Sequence, residues 1–228
     1  MSDMRMWFGE PIYITKLDNY QSINEAILPS LMAQYEPVRV GDKFSRTTDV
    51  NAIKIGNVSD QLHTDTRFAC LFQEVFSQIT QSLLAQKYNL DLFDVWITKS
   101  WATYSSKDQR IGSHRHRTSH YSFVYYPQAD NQGNLIFESD NLHKLGIAVP
   151  HIDPYFTQFD SGNFSQAFYP SQTGNLIIFP SRLFHSTEPN TQDHLRISIS
   201  GDILLTMRRD VSSEHCLPSP EHWAKSPV

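Results

Sequence analysis

Ten histidines are spread along the chain, but His114 and His116 stand two residues apart in Ser113-His114-Arg115-His116-Arg117. On an extended backbone, residues i and i+2 project to the same face, so both imidazoles can reach one ion without a helix. Imidazole nitrogen suits Fe, Zn, Cu and Ni. A third ligand must come from elsewhere, and His185 is the best candidate. It follows the apolar run Leu176 to Phe179 and the stretch Pro180-Ser181-Arg182-Leu183-Phe184, where a β scaffold can present it at a barrel mouth. In a chain this rich in histidine, chance also supplies such pairs, and His120, His143, His151, His194, His215 and His222 read as surface or loop residues. A second stretch sharpens the reading. Arg196 and Ser198 follow His185 and face the same way on a strand. A guanidinium holds a carboxylate through two parallel hydrogen bonds, and a hydroxyl adds a third. An arginine inside Leu195-Arg196-Ile197-Ser198-Ile199 is expensive to bury unless it meets an anion, either a bound ligand or an internal Asp or Glu.

Positioning these residues calls for a β scaffold with outer helices. Trp7 to Ile14 reads as an opening strand, at an edge because of Pro11. Ser22 and Glu25 have capping-box spacing, and the helix they start carries Ile23, Ala26, Ile27 and Leu31 on one face, with a kink expected at Pro29. Residues 37–51 are polar and irregular. Within them Arg46-Thr47-Thr48-Asp49-Val50-Asn51 could face a substrate, although a solvated connection is the plainer reading. From Asp65, Phe68, Leu71, Phe72, Val75, Ile79 and Leu83 recur at helical spacing and predict a core-facing stripe. Leu92 to Tyr104 is rich in β-branched and aromatic residues and reads as a long strand. After the polar turn 105–112 and the histidine cluster come a strand Tyr121 to Tyr126, a turn 130–133, and strands 135–137, 176–179 and 195–205. Residues 141–170 read as an aromatic loop, a pocket rim or lid, because loops of that length are usually functional. Helices early and strands late predict a mainly β fold with flanking helices, a β-barrel or jelly roll. The expected layout is one domain over 1–228: support from 1–90, jelly-roll core from 91–206, tail from 207–228.

The 228 residues are 39% hydrophobic, 19% charged and 12% aromatic, with a net charge of −5. That allows a packed core and an aromatic pocket, and argues against a duplex nucleic-acid partner, which prefers a basic face. Cys70 and Cys216 form no disulfide framework, which fits the cytoplasm. Neither a signal peptide nor an apolar membrane span is expected. Dimers are common among β-rich domains of this size, so a homodimer stays open.

The chain resembles the Fe(II)- and 2-oxoglutarate-dependent oxygenases, in particular a group of small bacterial and phage members. The resemblance runs through Trp7-Phe8-Gly9-Glu10-Pro11-Ile12-Tyr13, Ser100-Trp101-Ala102-Thr103-Tyr104, and His114-Arg115-His116 with Ser122-Phe123-Val124-Tyr125-Tyr126. It continues in Phe179-Pro180-Ser181-Arg182-Leu183-Phe184-His185-Ser186-Thr187-Glu188-Pro189-Asn190 and in Arg196-Ile197-Ser198-Ile199. It implies a double-stranded β-helix, a cupin-like jelly roll. It implies Fe(II) held by His114 and His185 with a third ligand at position 116. Arg196, helped by Ser198, would bind the distal carboxylate of 2-oxoglutarate, with Tyr104 and, behind it, Tyr126 as further contacts. The implied reaction consumes O2 and 2-oxoglutarate, releases succinate and CO2, and hydroxylates a small molecule or an amino-acid or peptide side chain.

The sequence departs from that pattern. Most of the superfamily carries Asp or Glu where this chain has His116, which makes the metal site one unit more positive. A three-histidine site, a two-histidine site with an extra open position, or substitution by Glu138 or Asp130 all stay open. Arg117 and Phe123 replace a proline and a glycine. A three-histidine dioxygenase that uses no 2-oxoglutarate and a non-catalytic cupin-like binding module are the alternatives.

Overall fold

The computed structural model describes residues 10–35, 46–47, 61–86, 88–138 and 166–227. Among the described residues nine strands form two sheets: β1 (Tyr13–Lys16), β2 (Arg46–Thr47), β3 (Phe93–Ser105), β4 (Tyr121–Gln128), β5 (Asp130–Glu138), β6 (Gln166–Gln172), β7 (Asn175–Pro180), β8 (Phe184–Thr187) and β9 (Arg196–Met207). The larger sheet has the order β1-β7-β4-β9-β3-β2, and the smaller β6-β5-β8. Every pairing between these strands is antiparallel. This is the jelly-roll arrangement of the double-stranded β-helix, and it sets two apolar layers. Between the sheets lie Val124, Tyr126, Leu135, Phe137, Ile177 and Phe179. On the other face of the large sheet, Phe123, Tyr125, Ile197 and Ile199 pack with the two helices.

Helix α1 (Tyr20–Gln34) buries Ile23, Asn24, Ile27 and Leu31. It starts two residues before the expected cap. Asn19 is the N-cap and makes no side-chain cap bond, while the Ser22 hydroxyl donates to the Asn19 carbonyl at 3.0 Å. The start is set instead by tertiary anchoring, since Leu17 is 1% exposed and its N–H donates to the Gly174 carbonyl. The helix continues through Pro29. The second helical stretch is a 3-10 turn at Thr66–Phe68, α2 (Ala69–Gln78) and a π-helical turn at Ile79–Leu84. Asp65 caps it through the Arg67 N–H. All six residues of the stripe from Phe68 to Leu83 are buried.

Other boundaries move. The opening strand starts at Tyr13 and does lie at a sheet edge, and Trp7 lies outside the described residues. The turn expected at 130–133 belongs to β5, which shifts register between Asp130 and Asn134. Positive φ at Asn131 and Gly133 lets the strand bulge there. Residues 166–170 of the expected long loop are strand β6, paired with β5, while the rest of that loop and residues 48–51 lie outside the described residues. After β9 the chain folds back, the Met207 N–H donating to the Leu217 carbonyl.

Gly174 closes the turn between β6 and β7 at φ +89°, and an added Cβ would stand 2.5 Å from the Tyr20 ring. Gly174→Ala should therefore cost about 1–3 kcal/mol through left-handed strain and overpacking. Thermal denaturation checks this, and a melting point unchanged from the parent would contradict it.

Candidate metal centre

The histidine pair does not sit on a regular strand. His114 forms an isolated antiparallel bridge with His185, closed by His114 N–H to His185 carbonyl at 3.0 Å and the reverse bond at 2.8 Å. The histidine segment thus runs along the free edge of β8. The His116 N–H is held by the Ser181 carbonyl at 2.9 Å. His185 itself lies on β8, opposite Phe137 of β5, and not merely past the apolar strand. Sequence periodicity could not reveal a strand of four residues.

These three imidazoles come together. Their ring centroids are 5.3, 4.3 and 5.2 Å apart for 114–116, 114–185 and 116–185. One ligand atom from each lies within 4.8 Å of the others. The Nδ1 atoms are already engaged: His114 with the Gly112 carbonyl at 2.9 Å, His185 with the Leu183 carbonyl at 2.9 Å, and His116 with Asp202 at 2.5 Å. Carbonyls and carboxylates only accept, so each Nδ1 carries the proton and each Nε2 keeps its lone pair. Burial, helped by the charge of His114, pushes the His185 pKa down to about 3, and burial also lowers that of His114. Burial thus favours the neutral form of His114 and His185, the form in which imidazole ligates a cation. This donor set fits a borderline metal such as Fe(II). Glu138 accepts from Ser113 and Asp130 pairs with His194, and neither belongs to the cluster.

The cluster opens onto a cavity of about 520 Å³ between the sheets, lined also by Lys99, Trp101, Thr103, Arg115, Arg117, Tyr126, Thr187, Ser198 and Asp202. Register decides which side chains reach it. Ser105, Thr103, Trp101 and Lys99 of β3 stand opposite Arg196, Ser198, Ser200 and Asp202 of β9, so these eight share the inward face. Tyr104 lies between them in sequence and points the other way. It packs in the helix-side core, and its hydroxyl donates to the Leu31 carbonyl at 2.8 Å. This corrects its expected place beside the site; Tyr126, 2% exposed, lines the cavity instead.

Arg196 is 3% exposed. It donates to the Gln132 and Glu188 carbonyls at 2.6 and 3.1 Å, and to the Thr187 hydroxyl at 3.0 Å. Thr187 lies two residues beyond His185 and lines the cavity, which ties the guanidinium to the metal cluster. Among the described residues no carboxylate forms an ion pair with Arg196, and burial lowers its pKa. A cation so placed favours an anionic ligand.

Sequence reasoning missed Asp202. It is 3% exposed. Burial would raise its pKa, but hydrogen bonds from His116 and Ser122 and the charge of Lys99 hold it below the usual carboxylate range. The signal was present, because 196, 198, 200 and 202 alternate along one strand face.

Residues 99–202 match the model of a family described as "Putative 2OG-Fe(II) oxygenase". That segment, just under half of the chain, is similar to the 2OG-Fe(II) oxygenases. The matched segment contains all three clustered histidines, Arg196 and Asp202. Solved structures share its fold. A Pseudomonas putida prolyl-4-hydroxylase aligns with TM-score 0.51 at 14% identity, over 86% of this chain and 92% of that one. AviO1 from Streptomyces viridochromogenes aligns with TM-score 0.53 at 12% identity, over 93% and 94%. HygX from Streptomyces hygroscopicus, with nickel, 2-oxoglutarate and hygromycin B bound, aligns with TM-score 0.51 at 13% identity, over 86% and 83%. At these identities the likeness speaks to the oxygenase fold alone. No curated protein matches the sequence. No helix among the described residues is long and apolar enough to cross a membrane.

Proposed function

We propose that the chain is an Fe(II)- and 2-oxoglutarate-dependent dioxygenase that hydroxylates a small molecule or an amino-acid or peptide side chain. His114, His116 and His185 would hold the iron through Nε2. Arg196 and Ser198 would receive the distal carboxylate of 2-oxoglutarate, with Tyr126 taking the contact that the sequence suggested for Tyr104. Iron supplies the activation of O2, and 2-oxoglutarate supplies two electrons as it leaves as succinate and CO2. The chain's own part is to aim three imidazoles through their Nδ1 partners, to fix the cosubstrate by its far end, and to keep the reacting atoms in a cavity walled by Trp101, Tyr126 and Phe179.

One observation carries this reading: three buried or half-buried imidazoles converge with every Nδ1 already bonded. Loop histidines gathered by chance would have no reason to share one tautomer. The substrate range is supported on both sides by fold neighbours, one a prolyl-4-hydroxylase and one crystallised with hygromycin B. Exposed free Cys70 and Cys216 suit a reducing, cytoplasmic setting.

Incubation with Fe(II), ascorbate and 2-oxoglutarate should yield succinate in the uncoupled reaction, and none when iron or 2-oxoglutarate is left out. The all-histidine ligand set favours a second reading, a dioxygenase independent of 2-oxoglutarate. O2 consumption that ignores 2-oxoglutarate would select that one, and absence of both iron binding and turnover would remove the enzyme reading.

A further inference from the structure

Imidazole ligands bring no negative charge, so three of them would leave the whole charge of a dipositive ion uncompensated, and Lys99, Arg115 and Arg117 add cations to the same cavity wall. Among the described residues, Asp202 is the one carboxylate that lines the cavity. Its Oδ1 accepts from His116 Nδ1 at 2.5 Å and from the Ser122 hydroxyl at 2.9 Å. Ser122 is linked to Ser181 at 2.8 Å, and the Ser119 hydroxyl donates to Ser181 at 2.8 Å. The backbone at Asp202 has little freedom: a Cβ on neighbouring Gly201 would stand 2.5 Å from the Phe123 ring and 2.7 Å from the Lys99 carbonyl. The three rings are therefore not equivalent. His114 and His185 rest on neutral carbonyls, and His116 alone rests on a carboxylate.

We propose that Asp202 is a positioning residue for the metal, acting through His116. It fixes the ring with Nε2 toward the ion and supplies, one hydrogen bond behind the ligand, the negative charge that the three imidazoles lack. A carboxylate behind a ligating imidazole fixes its tautomer and raises its donor strength. This rests on reading His114, His116 and His185 as the ligands, and the test separates the two ideas.

The test titrates metal-free protein with Fe(II) under anaerobic conditions and with Ni(II), using calorimetry, and records the visible spectrum of the Co(II)-loaded form. Asp202→Asn keeps the shape and an acceptor oxygen but removes the charge. It should weaken metal binding about 10- to 100-fold and alter the Co(II) bands. The deciding comparison moves the charge onto the ion with His116→Asp. In that background Asp202 has no imidazole to act through, so adding Asp202→Asn should weaken metal binding about tenfold less than it does beside His116. The loss at 202 is thus coupled to the histidine at 116. An Asp202 that only supports the fold would weaken binding by the same factor in both backgrounds, and that result overturns the proposal, as does an Asp202→Asn protein with unchanged affinity and spectrum. If Asp202→Asn alone does not melt cooperatively, Asp202→Ser is read in the same two backgrounds by the same comparison. If the parent protein binds no metal, the ligand reading itself fails.

Discussion

His185→Ala should abolish succinate formation, lowering turnover by three orders of magnitude or more, which is about 4 kcal/mol or more of barrier. The residue is 6% exposed, and its ring lies 4.3 Å from that of His114 and 4.8 Å from that of Phe179. Removal leaves two clustered imidazoles on one flank of the cavity and none on β8. The clearer readout is thermodynamic. A metal that binds only the folded protein stabilises it in proportion to the logarithm of its excess, about 4 kcal/mol at a thousandfold excess over Kd. The parent should therefore melt at a higher temperature when Fe(II) or Ni(II) is added, and His185→Ala should not. Without metal, the variant loses packing against Phe137 and Phe179 but no longer holds a neutral imidazole among two others, so its apo melting point should move less than the metal increment it forfeits. A variant that still gains the full increment would exclude His185 as a ligand.

The histidine cluster was legible because its residue types are sparse and its spacing is simple. His114 and His116 need only an extended backbone to share a face, and an arginine in a strand of isoleucines draws attention by its cost. The β3–β9 register was not legible. Counting along β3 cannot tell whether Tyr104 or its neighbours Thr103 and Ser105 face inward; pairing with Ser198 and Arg196 decides it, and that pairing is a long-range choice made by the whole sheet. The capping-box spacing at Ser22 was a genuine local signal, overridden where Leu17 and Tyr20 dock on the turn at Gly174. β8 and β6 failed to register for opposite reasons. The first is four residues long, and the second was hidden in an aromatic stretch whose side chains gave no clear alternation of apolar and polar.

Arg196 offers the sharpest division between cosubstrate and metal. Its nitrogens are bonded to two backbone carbonyls and the Thr187 hydroxyl, so the guanidinium is held in advance of any ligand and pays little ordering entropy on binding one. Arg196→Gln should weaken 2-oxoglutarate binding by about 2–5 kcal/mol, the cost of truncating one partner of a buried charge pair, while the affinity for Ni(II) or Fe(II) alone stays within a few-fold of the parent. Stability should fall too, because the Gln132 and Glu188 carbonyls each lose a donor at about 1–3 kcal/mol. Binding is therefore measured well below the variant's melting point. Titration of the metal-loaded protein with 2-oxoglutarate, followed by calorimetry, gives the first number, and titration with metal alone gives the second. Equal losses in both would mean that Arg196 holds the fold and not the cosubstrate. A loss confined to 2-oxoglutarate would mark Arg196 as its anchor and count against a dioxygenase that works without it.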